Sequence, residues 1–96
     1  MKATEGWAAL EETARSEDRA QQMERYRLDL LYARIFGSDE GRQVLAHLRA
    51  LTVEQPAWVP GQDPSHGFAR EGQNSIVREI ERRVRRAAEG PPQADR

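Results

Sequence analysis

Arg78, Arg82, Arg83, Arg85 and Arg86 fall within nine residues of one another, the sharpest charge feature of the sequence. Guanidinium groups at this density suit phosphate oxygens or the acidic face of a protein partner. From Gly67 to Arg96 there are seven arginines against five acids, a local net charge of +2. The same stretch carries Glu79, Glu81 and Glu89 at i, i+3 and i, i+4 from the arginines, which also describes a solvated helix surface paired with itself. Of the two readings, the paired surface ranks ahead of the phosphate face. No aromatic residue interleaves the arginines, so stacking on single-stranded bases is not expected.

Catalytic and metal chemistry find no constellation. His47 and His66 share no ligand spacing with a carboxylate, and a metal site needs several converging donors. There is no cysteine, which excludes disulfides and thiolate ligands. Asp39 and Glu40 sit where a helix start favours acids, and Glu11 and Glu12 lie on a polar face. No serine stands in a nucleophile-elbow setting, and the glycines form neither a Walker loop nor a dinucleotide-binding turn. The sequence therefore predicts a protein that is not an enzyme and has no cofactor.

The elements that carry these residues read as helices. The chain has 96 residues, 38% hydrophobic and 32% charged, with a net charge of −1. One small domain with a thin core is expected, with no global field to draw it to nucleic acid or a lipid surface. No apolar run approaches the ~20 residues that cross a bilayer, so no membrane association is expected. Residues Met1 to Arg15 contain no apolar stretch, and no signal peptide is expected.

From about Thr4 to Phe36 good helix formers dominate, without proline. Apolar content is thin up to Gln22 and thickens from Met23. Leu28, Leu31, Tyr32 and Ile35 follow the spacing of one buried helical face. The prediction is an all-α, three-helix arrangement in three parts: a projecting arm over 1–22, a helical core over 23–89 and a disordered tail over 90–96. Gly37 stops the first helix, and Ser38 or Asp39 caps a second, Asp39 to Thr52, with Val44, Leu45, Leu48 and Leu51 as its stripe. A Trp/Pro-rich loop follows, with Pro56, Trp58, Val59 and Pro60. Asp63-Pro64 then opens a third helix that runs to Ala88, with Phe68, Gly72, Ile76, Ile80 and Val84 as its seam.

Gly41 and Gly72 each cost about 1 kcal/mol in a helix relative to alanine. Their positions suggest that helices two and three cross near one of them. Trp7 and Leu10 form an apolar ridge that the thin first half of helix one has little means to bury. Together with Trp58 they are the candidate partner-binding residues, since tryptophan is enriched where interfaces carry their energy. Trp58 reads equally as half core and half loop clamp.

Two short blocks carry a family resemblance. Phe36, Ser38, Gly41, Arg42, Val44, Leu45 and Leu48 form the first, in "FGSDEGRQVLAHL"; Glu71, Gly72 and Gln73 form the second, in "FAREGQNSIVREI". Asn74 stands where the pattern has arginine. In these blocks the chain resembles the Bbp19-like phage proteins. The resemblance implies a small helical protein from a phage structural-gene region, without catalysis or cofactor. It further implies a minor virion or assembly component near the portal or head–tail junction. Its partners would be other virion proteins, portal or neck, with self-association also admitted, in the virion and in the host cytoplasm during assembly. Arg42 and Glu71 would clamp the two motif helices together. Two alternatives remain: a nucleic-acid-binding or packaging module that uses Arg78 to Arg86, and a small adaptor or inhibitor of a host protein.

Overall fold

The computed structural model describes residues 3–93. Three α-helices account for most of them: α1 (Ala3–Phe36), α2 (Asp39–Leu51) and α3 (Pro64–Glu89). The chain is all-α among the described residues. The boundaries follow local chemistry. The Ser38 hydroxyl accepts the Gly41 amide at 3.0 Å and caps α2, with Asp39 and Glu40 in the positive first turn. The Asp63 carboxylate accepts the Ser65 amide at 2.8 Å, and Pro64 occupies the first helical position, where its missing N–H is no loss. Gly90, at φ 97°, ends α3 in a left-handed conformation that suits glycine. Gly37 closes α1 through its amide to the Ala33 carbonyl at 2.8 Å, without the left-handed cap that a terminal glycine often supplies. Of the tail expected to be disordered, residues 94–96 lie outside the described residues.

α1 and α3 pack antiparallel. Phe36 and Tyr32 lie by Ile80, Asp29 meets Arg83 and Arg86, and Gln22 and Tyr26 share a cleft with Glu89 and Gly90. α2 turns back at Gly37 and is tied to α3 by an ion pair in which Arg49 Nη1 donates to both carboxylate oxygens of Glu81 at 2.8 Å. The packed part is small. Val77 and Ile80 are the buried hydrophobic residues, joined by two buried polar ones, Asp29 and Asn74. Every residue from 7 to 21 is exposed.

The inward faces differ from the expected ones by about one residue step of rotation. Leu28, Leu31 and Ile35 do not form the buried face of α1; they are exposed, and Gln22, Tyr26, Asp29, Tyr32, Ala33 and Phe36 turn inward. The cause is Asp29. Successive residues lie ~100° apart around a helix, so directing the carboxylate at two arginines swings the neighbouring leucines outward. On α3 the expected seam is also displaced. Phe68 and Ile76 are 66% and 64% exposed, whereas Gly67, Asn74, Val77 and Ile80 are buried. Only Ile80 and the partly buried Val84 of the expected seam face inward. On α2, Val44 and Leu51 are exposed, and Leu45 and Leu48 are half-buried.

Candidate functional site

The arginine cluster separates into two groups. Arg83 donates to Asp29 Oδ1 at 2.9 Å, and Arg86 grips the same carboxylate through Nη2 at 3.0 Å and Nε at 3.2 Å. The carboxylate is 4% exposed, so a buried acid held by two partly buried arginines ties α1 to α3. The Arg83 guanidinium also lies 5.4 Å from the centroid of the Tyr32 ring, within cation–π range. These two arginines are structural. Arg82 pairs with Glu79 at 2.9 Å along the exposed face, one of the i, i+3 pairs expected from the sequence. Arg78 and Arg85 are exposed and make no ion pair among the described residues. The positive surface available to a ligand is thus Arg78, Arg82 and Arg85, which lie on one face of α3 at i, i+4 and i+7.

The second site is apolar. Leu28, Leu31, Tyr32, Ile35 and Phe36 of α1, with Ile80 of α3, line an open groove of about 420 Å³. Tyr32 and Phe36 stack along its floor with ring centroids 6.2 Å apart. Further out on the same helix, Trp7 and Leu10 are 66% and 63% exposed. Neither touches the core, because α2 and α3 pack only against the C-terminal half of α1.

Trp58 forms a third cluster at the loop. Its indole N–H donates to Glu71 Oε1 at 2.6 Å, and its ring meets Phe68 edge-on with centroids 5.0 Å apart. The other face of the indole rests on Gly67, where an added Cβ would run into the ring. Arg70 holds the loop from the far side through the Pro56 carbonyl at 3.2 Å. Half of Trp58 remains exposed, so it clamps the loop and still offers a surface.

The expected motif contacts are not formed. Glu71 is engaged by Trp58, and Arg42 lies 3.8 Å from Asp39 on its own helix, so Arg42 and Glu71 do not clamp α2 to α3. Gly41 is a close-approach glycine, but the backbone it meets is the end of α1. A Cβ there would come within 2.7 Å of Phe36 Cα and run into the Ile35 carbonyl. A Cβ added at Gly72 would meet nothing within 4 Å, so Gly72 marks no crossing.

Sequence reasoning missed Asp29 and Arg49 and gave Glu81 to arginines of its own helix, whereas Glu81 pairs with Arg49; these residues fasten the three helices. Asp29 had a readable signal: a single acid inside the apolar run from Leu28 to Tyr32. Arg49 and Glu81 had none, since nothing local links residues that far apart.

The titratable groups offer little further chemistry. The Ser65 amide holds the Asp63 carboxyl below the ordinary aspartate range, and Arg15 does the same for Glu12. His47 and His66 are exposed, and no three metal-binding side chains converge among the described residues. No helix among those residues is long and apolar enough to cross a membrane.

A family described as Bbp19-like phage protein matches residues 32–94, about two thirds of the chain. The chain belongs to this family and is a phage protein. No curated protein matches it, and no solved structure does.

Proposed function

We propose that this Bbp19-like phage protein is a minor virion or assembly component that works by protein–protein contacts, near the portal or head–tail connector. The observation that carries the reading is the amount of apolar side chain left on the surface of a phage-family chain. Trp7, Leu10, Leu28, Leu31, Ile35, Val44, Leu51, Trp58, Phe68 and Ile76 are all exposed, while among the described residues two hydrophobic ones, Val77 and Ile80, are buried. Of these, Leu28, Leu31 and Ile35 line one groove, and contiguous exposed apolar surface marks an interaction site. On this reading the protein works by contact and is not an enzyme.

The test is to purify assembled particles of the parent phage and identify their proteins by mass spectrometry. The reading expects the chain in intact particles or in isolated connector assemblies, and its removal to stall assembly. A chain found only in lysate, with assembly unaffected by its loss, contradicts it.

A second reading, nucleic-acid binding, draws on Arg78, Arg82 and Arg85 on one exposed face. Three phosphate contacts would give a log–log salt slope of about −3 on duplex DNA. Binding without that slope, or binding that survives alanine at all three positions, rules this reading out.

A further inference from the structure

The exposed face of α1 has a repeat. Trp7, Leu10, Ala14, Glu17, Gln21, Glu24, Leu28, Leu31 and Ile35 recur at alternating steps of three and four, and every one of them is exposed. A seam with this mean spacing of 3.5 residues is the pattern of a two-stranded left-handed coiled coil. We propose that α1 pairs with α1 of a second copy of this chain, antiparallel, and that Trp7 of each copy fills the groove of the other. The pairing goes beyond the contact-protein reading and does not depend on it, although both use Trp7 and Leu10.

Two features of one continuous helix call for a second molecule. The groove at Leu28, Leu31 and Ile35 lacks an occupant, and Trp7 and Leu10 lack a pocket. Trp7 and Leu31 are ~36 Å apart along the helix axis, so the indole cannot fold back into its own groove. A two-fold axis across the middle of α1 satisfies both at once, because each copy gives a tryptophan and receives one. In this register Trp7 packs beside Leu31 of the second copy and Leu10 beside Leu28. Glu17 then faces Gln21, and Ala14 faces Glu24. The polar layers fall at the centre, where they fix the register. The Gln21 amide can donate to the Glu17 carboxylate, and Glu24 is already paired with Arg27 at 3.1 Å, so no lone acid is enclosed. A parallel pair would instead set Glu17 against Glu17 and Glu24 against Glu24, like charges facing in the seam.

The surface area agrees. A compact monomer of 11.0 kDa exposes about 5,600 Å², while this chain exposes 7706 Å². The surplus of about 2,100 Å² per chain exceeds the roughly 800 Å² that each partner buries in a standard interface. The family match begins at residue 32, so most of the seam lies outside it.

The experiment is light scattering and circular dichroism on the full chain and on two variants, Trp7→Ala and Leu31→Asp. The proposal expects twice the 11.0 kDa chain mass for the unaltered protein, and the single-chain mass for both variants with α3 and its ion pairs intact. Trp7 makes no contact with the core, so its removal cannot unfold the monomer. Orientation is read by disulfide formation between mixed Ala14→Cys and Glu24→Cys variants, in a chain that has no cysteine of its own. Antiparallel pairing gives the mixed disulfide, because like positions stand ~15 Å apart. A monomeric parent, a dimer that both substitutions leave unchanged, or disulfides between like variants alone overturns the proposal. Absence of the unaltered chain from purified particles, with the dimer intact, would instead count against the virion reading alone.

Discussion

Asp29 shows how one residue can redirect a helix. A carboxylate buried between Arg83 and Arg86 pairs three charges where a larger core would place leucines. Such a site is costly to break, because removing the acid leaves Arg86 without its acid and Arg83 with only a longer contact to Glu79 at 3.8 Å. Asp29→Ala is expected to lower unfolding stability by about 3 kcal/mol in urea titration. Asp29→Asn retains the shape and still loses the charge, so it should be nearly as harmful. Glycine positions make a second test at this scale. Gly41→Ala drives a methyl group into the backbone at the end of α1 and is expected to cost about 3 kcal/mol. Gly72→Ala fills open space on an exposed helix and should stabilise by about 1 kcal/mol. The sequence marks both glycines as unusual but does not distinguish them. The difference is a matter of which backbone passes nearby, which no local pattern encodes.

Helix boundaries were legible because they are set by neighbours in sequence. Ser38, Asp63, Pro64 and Gly90 act within a few residues, and each stands where its cap chemistry predicts. Helix faces were not, because they are set by distant partners. Leu28, Leu31 and Ile35 have the spacing of a buried stripe, and Phe68, Gly72 and Ile76 repeat on one face, yet both sets point to solvent in the single chain. An apolar stripe reports that a face is to be covered, not which molecule covers it. The cap at α3 makes a pH prediction at this scale. The Asp63 carboxyl is held below its ordinary range by the Ser65 amide, so it favours the folded state when ionised. Its contribution is complete above the unfolded aspartate range and is lost as the pH falls through the lowered folded value. Asp63→Asn, which keeps an acceptor, should flatten this part of the acid profile, and amide exchange in the first turn of α3 would record it.

At the scale of the molecule, the chain is elongated, with a radius of gyration of 20.1 Å and extents of 66 × 36 × 17 Å. A compact domain of this length would have a radius near ~12.5 Å. Shape of this kind fits a protein whose working surface is a long helix and whose packed part anchors it. The family match takes in α2, α3 and the end of α1: it starts at Tyr32, while Asp29 and the exposed residues 7–21 precede it. The all-α architecture was evident from composition and periodicity. The family was evident in the blocks around Gly41 and Gly72, even though the contacts those blocks suggest, Arg42 with Glu71 above all, are not made.

Amide hydrogen exchange along α1 tests most directly whether its exposed face is an interface between copies. An unsupported helical segment of this length is marginal in water. If two arms cover each other, residues 7–21 exchange slowly, close to the rate of residues 28–36, and their protection fades on dilution and in Trp7→Ala. Exchange of residues 7–21 at the rate of an unstructured chain, unchanged by concentration, would contradict the pairing.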